Sequence, residues 1–126
     1  MKVIIAGSRG LMIYTDFIEK VLCQFHIQDS VSEVVSGGCK GVDRAGELWA
    51  KSYPQSPKSV VVKVLKADWE AHGKSAGPIR NRQMAEYADA LLLIWDGESR
   101  GSASMKREME RLKKPIYEII IKEKVY

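Results

Sequence analysis

At 126 residues the chain is long enough to bury a hydrophobic core, and residues 1–126 are predicted to form one domain. Its 45% hydrophobic and 29% charged residues are typical of a globular protein, and its net charge of +4 is only mildly basic. Lys and Arg are spread along the chain, which excludes a basic tail. The lack of a leader or a long apolar run predicts a cytoplasmic protein without membrane contact.

Short apolar runs alternate with helix-like segments along the chain. Five strands are predicted over residues 2–6, 31–35, 60–65, 89–95 and 116–121. Four helices are predicted between them: one after Asp16, one over 45–53, one over 79–88 and one ending at 113–115. Pro54 and Pro57 bracket a loop, and residues 66–78 are predicted to form a long irregular connection of the kind that is often functional. A short charged tail covers residues 122–126.

Helix ends and buried helix faces follow from residue type and spacing. Asp16 is expected to cap the first helix, with Glu19 three residues later as in a capping box. Pro78 suits the first turn of the third helix. Helical spacing predicts core-facing positions in the first two helices at Phe17, Val21, Leu22, Phe25, Val42, Ala45, Trp49 and Tyr53.

The cysteines and histidines give no sign of a metal site. Cys23 and Cys39 form no CxxC pair, and no His/Cys cluster has the spacing of zinc ligands, so neither a metal nor a cofactor is predicted. Cys23 is expected to be a small core residue, whereas Cys39 lies in a glycine-rich loop without a nearby histidine to activate it as a nucleophile. His26 and His72 are expected at the surface or at helix ends.

Continuous apolar strands that alternate with helices predict an α/β fold. The expected architecture is Rossmann-like, with three layers, a mostly parallel five-stranded sheet and helices on both faces. Right-handed crossovers bring every strand-to-helix loop to the carboxyl edge of the sheet, where ligands bind near the switch in strand order. The candidate site is therefore expected in these loops.

Three of the loops combine glycine with hydroxyl groups or cations, the chemistry that holds phosphate. They contain Gly7-Ser8-Arg9, then Gly37, Gly38 and Gly41, and finally the residues from Asp96 to Ser102. Glycine exposes backbone N–H groups, and a helix N-terminus adds partial positive charge. Neither a Walker A pattern nor a GxGxxG fingerprint is present, which disfavours an ordinary ATPase or dinucleotide-binding enzyme.

Several side chains allow both a structural and a ligand-binding interpretation. Asp43 either caps the second helix or hydrogen-bonds to a ribose hydroxyl. Trp69 either packs against the protein or stacks on a base. Arg80 and Asn81 lie in the first turn of their helix, where a cation opposes the macrodipole, so a nearby anion would account for Arg80. Arg82 is expected on a solvated face.

Four stretches together resemble one family. The GSR loop, SGGCKGVDRAGELWA, ADWEAHGKSAGPIRNRQM and WDGESRGSASM are similar, in this order and over nearly the whole chain, to the YspA-like branch of the SLOG superfamily. That superfamily also includes the cytokinin-activating phosphoribohydrolases and the DNA-processing protein A family. The resemblance implies a Rossmann-like fold and a nucleotide or nucleotide-derived ligand. It implies ligand contacts at Gly7, Ser8, Arg9, Gly37, Gly38, Gly41, Asp43, Arg80, Asn81, Ser99, Arg100, Gly101 and Ser102.

The resemblance also includes one departure. The phosphoribohydrolases carry a PGGxGTxxE motif whose glutamate takes part in cleaving the N-glycosidic bond, and Met105 occupies that position here. A thioether cannot act as an acid or a base, which favours binding over hydrolysis. Asp43, Asp96 and Glu98 remain as candidate catalytic carboxylates.

Three functions follow, in order of preference. The leading hypothesis is binding or sensing of a phosphorylated nucleoside, such as an ADP-ribose-like molecule or a signalling nucleotide. The second is a phosphoribohydrolase or N-glycosidase that acts on a nucleoside monophosphate. The third is single-stranded nucleic-acid binding, by analogy with the DNA-processing branch. Self-association into a homodimer or higher homo-oligomer is expected, through a helix face with exposed methionines.

Overall fold

The structure is a computed structural model that describes residues 1–54 and 60–122. Its sheet contains β1 (Lys2–Gly7), β2 (Glu33–Ser36), β3 (Val61–Val64), β4 (Ala90–Trp95) and β5 (Ile116–Ile120). The strand order is β3-β2-β1-β4-β5, and every pairing between these described strands is parallel. The predicted Rossmann-like parallel sheet is therefore confirmed, while Pro57 and the tail beyond residue 122 lie outside the described residues.

Helices cover both faces of this sheet. The described residues form α1 (Thr15–Gln24), α2 (Val42–Ser52), α3 (Trp69–His72), α4 (Ala76–Tyr87) and α5 (Arg100–Arg111). α1 and α2 pack on one face with alternate residues of the strands, and α4 and α5 pack on the other face with the remaining ones. The predicted three layers are present because the central strands carry apolar side chains toward both helix layers.

The position of the candidate site follows from the strand order. The chain adds β2 and β3 on one side of β1, then crosses over to add β4 and β5 on the other side. The loops after β1 and β4 consequently diverge at the carboxyl edge of the sheet. This divergence leaves a crevice at the topological switch point, which is where open α/β sheets bind ligands.

The connection predicted to be irregular over residues 66–78 is partly helical, so that prediction is wrong. Asp68 starts the first helical segment: its Oδ1 accepts a hydrogen bond from the N–H of Ala71 at 3.0 Å and so caps α3. A short 3-10 turn, Gly73–Ser75, then leads directly into α4. α4 therefore begins at Ala76, before the predicted start at residue 79.

The predicted capping of α1 by Asp16 is also wrong. α1 begins at Thr15, Tyr14 occupies the N-cap position, and no side chain caps this helix end. Glu19 does not reach back to the helix start because its carboxylate accepts a hydrogen bond from Trp49 Nε1 at 2.8 Å. It also accepts one from the thiol of Cys23 at 3.2 Å.

Exposure corrects two further expectations and agrees with a third. Cys23 is exposed and is not a core residue. The helix methionines Met84, Met105 and Met109 are buried against the sheet, so the exposed methionine face expected to support self-association is not seen, and self-association stays a prediction. The two histidines are exposed, as predicted.

Over residues 1–54 and 60–122, no helix combines the length and the apolar character that a membrane crossing requires.

Candidate functional site

A cavity of about 390 Å³ opens at the carboxyl edge of the sheet, between the loops that follow β1 and β4. Small-molecule sites typically occupy about 300–1,000 Å³. Four separate stretches of the chain meet in this cavity. Its lining includes the predicted residues Gly7, Ser8, Arg9, Gly37, Asp43, Arg80, Asn81, Asp96, Ser99, Gly101 and Ser102.

Five other predicted residues do not line this cavity: Gly38, Gly41, Trp69, Glu98 and Arg100. Trp69 is 56% exposed on α3 and lies close to Gly77 of α4. Glu98 and Arg100 are exposed at the start of α5. These side chains are near the site along the sequence, but the fold turns them away from its interior.

Ser8 joins the loops that follow β1 and β4. Its backbone N–H donates to the carbonyl of Ile94 at 3.3 Å, and its hydroxyl accepts a hydrogen bond from the N–H of Asp96 at 3.1 Å. The hydroxyl also lies 3.3 Å from Ser99 Oγ. The two edges of the crevice are therefore held together at its base by one buried serine.

Gly41 allows the first and second glycine loops to pack against each other. Its φ of 77° and ψ of −124° place it in a region that side-chain-bearing residues rarely adopt. A Cβ at this position would lie 2.7 Å from the carbonyl oxygen of Ser8 and 2.9 Å from that of Arg9. Gly41 therefore permits this close packing of the two loops but does not line the cavity.

Gly37 is the point where Arg80 and Asp43 meet. Arg80 Nη1 donates to the Gly37 carbonyl at 2.7 Å, and Arg80 Nε donates to Asn81 Oδ1 at 3.0 Å. A Cβ on Gly37 would lie 2.5 Å from Arg80 Nη1 and 2.9 Å from Asp43 Oδ2. Only a glycine therefore leaves room for the cation and the carboxylate side by side.

Asp43 is a buried carboxylate in the wall of the cavity. Burial raises its pKa from 3.8 to about 6, although the N–H of Cys39 and the positive charge of Arg80 lower it in part. Asp43 does not cap α2, because Gly41 occupies the N-cap position and no side chain caps that end. A carboxyl group with this pKa exchanges a proton near neutral pH, which is a property of acid–base residues.

The pKa of Asp96 is shifted in the opposite direction from that of Asp43. Its Oδ1 accepts hydrogen bonds from the N–H groups of Glu98 and Ser99, both at 2.8 Å. These bonds lower the pKa of Asp96 and hold the turn before α5. Among Asp43, Asp96 and Glu98, only Asp43 combines a cavity position with a raised pKa.

The N-terminus of α5 forms another part of the cavity wall. Ser99 is its N-cap residue, but no side chain caps the helix, so the first-turn N–H groups of Gly101 and Ser102 lack the partners that a helix interior would supply. Asn81 Nδ2 donates to the Gly101 carbonyl at 3.3 Å and to Ser104 Oγ at 3.2 Å. This contact fixes α4 against the helix end, where an anion would be stabilised.

The sequence interpretation missed the lining residues Ala6, Gly10 and Met84, and it discussed the lining residues Cys39 and Met105 without naming them as ligand contacts. Met84 follows Arg80 by four positions, so helical spacing already placed it on the same face of α4. Cys39 is half-buried, and its Sγ lies 3.8 Å from Arg9 Nη2. Within the described ranges, no group of three or more His, Cys, Asp or Glu residues could hold a metal ion.

A parallel five-stranded sheet with helices on both faces and a glycine-lined cavity at its switch point defines the fold as Rossmann-like. Residues 1–72 match the family described as "YspA, cpYpsA-related SLOG family", and the chain belongs to this family. The Gene 61 protein of Mycobacterium phage D29 is 33% identical over 116 residues, which cover 91% of this chain and 93% of that protein. No solved structure matches the chain significantly. Membership in the family is consistent with binding or processing of a nucleotide-related ligand.

Proposed function

We propose that this protein binds a phosphorylated nucleoside in the cavity at the carboxyl edge of its sheet. The observation that carries the proposal is the meeting, in one cavity, of the uncapped N-terminus of α5 with two arginines, Arg9 and Arg80. Helix N–H groups and guanidinium groups are both recurrent phosphate donors. Their convergence favours an anionic ligand over a neutral one.

The charged and polar groups that line the cavity suggest where the phosphate and the sugar of the ligand lie. The phosphate lies at Ser99, Gly101 and Ser102, since the first-turn N–H groups of α5 point there and the nearby Asp96 carboxylate is engaged by its own turn. The sugar hydroxyls face Asp43, because a carboxylate accepts hydrogen bonds from ribose. Arg80 spans the two regions, with Nε and Nη1 engaged by protein and Nη2 left for the ligand among the described contacts.

Calorimetry against the four nucleoside 5′-monophosphates, each paired with its unphosphorylated nucleoside, tests this function. We expect at least one monophosphate to bind, and its nucleoside to bind far more weakly. At 100 times its dissociation constant the ligand should add about 2.7 kcal/mol to the free energy of unfolding. Binding of nucleosides as tight as that of nucleotides, or no binding at all, would contradict the proposal.

A matched pair of variants on α4 locates the site. Arg80→Ala removes a cavity arginine and should weaken monophosphate binding by at least about tenfold, the loss of one charge-assisted hydrogen bond. Arg82→Ala removes the same charge two residues later, from a side chain that pairs with Glu108 outside the cavity. Its affinity should stay within about twofold of wild type, an energy below RT.

A second candidate function is hydrolysis of the N-glycosidic bond of a bound nucleotide. Asp43 favours it, because a cavity carboxyl with a pKa of about 6 can protonate the departing base as the bond between base and sugar carbon breaks. Water then adds to that carbon and returns a proton to the Asp43 carboxylate. Free base should then appear with wild type and not with Asp43→Asn, provided that both bind nucleotide. No base release at stoichiometric protein concentration would leave binding as the function.

A further inference from the structure

A second cavity, of about 290 Å³, lies beside the first one. Arg9 and Gly10 line both cavities, so the two share a wall. The remaining lining of the second cavity comes from the loop after β1 and from the first turns of α2: Leu11, Met12, Ile13, Gly41, Arg44, Ala45 and Leu48. None of the residues that line only this second cavity belongs to the nucleotide site proposed above.

The second cavity combines an apolar surface with two cations. Met12 is 65% exposed and Leu48 is 42% exposed, so two large apolar side chains of the lining face solvent. Arg9 and Arg44 accompany them, and within the described residues neither guanidinium forms an ion pair with a carboxylate. Apolar surface next to unpaired guanidinium groups suits a flat ring that carries an anionic linker.

The geometry of this cavity is fixed by packing. Arg44 and Leu48 lie one helical turn apart on α2 and therefore share a face. Gly41 holds the loop after β1 against the start of that helix, since its missing side chain leaves room for the carbonyl groups of Ser8 and Arg9. The two arginines are consequently presented from two elements that are packed directly together.

We propose that the second cavity binds the second nucleoside of a dinucleoside phosphate, whose phosphate lies between Arg9 and Arg44 while the phosphate of the first nucleotide stays at the N-terminus of α5. The inference rests on the proposed function, because the first nucleotide would occupy the first cavity. The shared wall at Arg9 and Gly10 is what makes one continuous ligand possible. The chain has no GxGxxG turn, so the side-chain cations Arg9 and Arg44 would neutralise the second phosphate.

Calorimetry with matched ligand pairs tests the inference. Each nucleoside 5′-monophosphate is compared with the dinucleoside 5′,5′-diphosphate of the same base, for all four bases. For the preferred base, the dinucleoside diphosphate should bind wild type at least about tenfold more tightly than the monophosphate. Arg44→Ala and Leu48→Gln should remove that advantage while monophosphate affinity stays within about twofold. Arg107→Ala, an exposed arginine outside both cavities, should preserve it.

The possible failures are distinguishable. If monophosphates bind but the dinucleoside diphosphate gains nothing, or if its gain survives both Arg44→Ala and Leu48→Gln, the inference is overturned and the first site stands. If no nucleotide of either kind binds, the proposed function fails and the inference fails with it. If sedimentation shows a dimer that Leu48→Gln dissociates, a second copy of the chain covers the groove, which also overturns the inference.

Discussion

Replacing Asp43 by asparagine should change how stability depends on pH. Burial raises the pKa of Asp43 from 3.8 to about 6, so between these values the folded protein holds a proton that the unfolded chain has released. By linkage, this carboxyl contributes stability that is fully present below the unfolded pKa and is lost as the pH rises through the folded pKa. The amide of the Asp43→Asn variant does not titrate, so the variant should lack this loss.

The size of the effect follows from the two pKa values. One pKa unit corresponds to about 1.4 kcal/mol, so the interval from 3.8 to about 6 corresponds to about 3 kcal/mol. The free energy of unfolding of Asp43→Asn, minus that of wild type, should therefore increase by about 2.4 kcal/mol between about pH 4 and about pH 7, because the unfolded carboxyl is already partly ionised at pH 4. We predict only how this difference in unfolding free energy changes with pH. Its pH-independent part also contains the hydrogen bonds that the amide alters.

Urea unfolding of both proteins at several pH values measures this difference, and groups that titrate in both proteins cancel. Asp29→Asn removes an exposed carboxylate and serves as the control, with a difference from wild type that stays within about 0.5 kcal/mol over the same range. A difference for Asp43→Asn that is flat, or that falls with rising pH, would refute the argument that burial dominates this carboxyl.

Three further substitutions test the contacts that hold the site together. Gly41→Ala should lower the free energy of unfolding by at least about 2 kcal/mol in the same urea assay, because the new Cβ would meet backbone oxygens and the residue has a positive φ. Gly101→Ala is the control: its Cβ would have no atom within 4 Å, so the free energy of unfolding should change by less than about 0.5 kcal/mol. Ser36→Ala should cost about 1–3 kcal/mol, since the buried Glu47 carboxylate loses its 2.6 Å hydrogen bond, and an unchanged urea midpoint would contradict this. Arg80→Lys keeps the charge but not the fork of two hydrogen bonds, so calorimetry should show about a tenfold loss of nucleotide affinity, and full retention would mean that charge alone suffices.

The sheet could be predicted from the sequence because its strands are short apolar runs with few alternatives. The predicted bounds of β1 and β4 lie within one residue of the observed ones, and β4 is buried along its whole length. β3 is different: Val61 is 57% exposed and Val64 is 38% exposed, since this strand lies at the edge of the sheet. Residue type alone does not distinguish an edge strand from a central one.

Tertiary contacts decided the features that the sequence could not predict. Glu19 would suit a capping box, but Trp49 from another helix engages its carboxylate. α3 spans only four residues, and so short a helix forms through its cap and its surroundings and not through its own propensity. Helix periodicity therefore located the long helices and missed this one.

The loops that form the candidate site could be predicted from the sequence, but the directions of their side chains and the burial of Asp43 could not. Loops that follow parallel strands must share one edge, and this rule alone brings Ser8, Gly37 and Ser99 together. The direction of each side chain depended on packing: Arg80 faces the cavity through its bond to Gly37, whereas Trp69 remains outside it. A carboxyl such as Asp43 could be named from the sequence, but its raised pKa follows from burial, which only the packed fold determines.

The central claim is that a nucleotide phosphate lies at the N-terminus of α5. A crystal structure with the tightest-binding nucleoside monophosphate tests it most directly. We predict phosphate oxygens within hydrogen-bond distance of the N–H groups of Gly101 and Ser102, the sugar beside Asp43 and Arg80, and no displacement of β1 or β4. A nucleotide bound elsewhere on the protein, with this cavity filled only by solvent, would contradict the account.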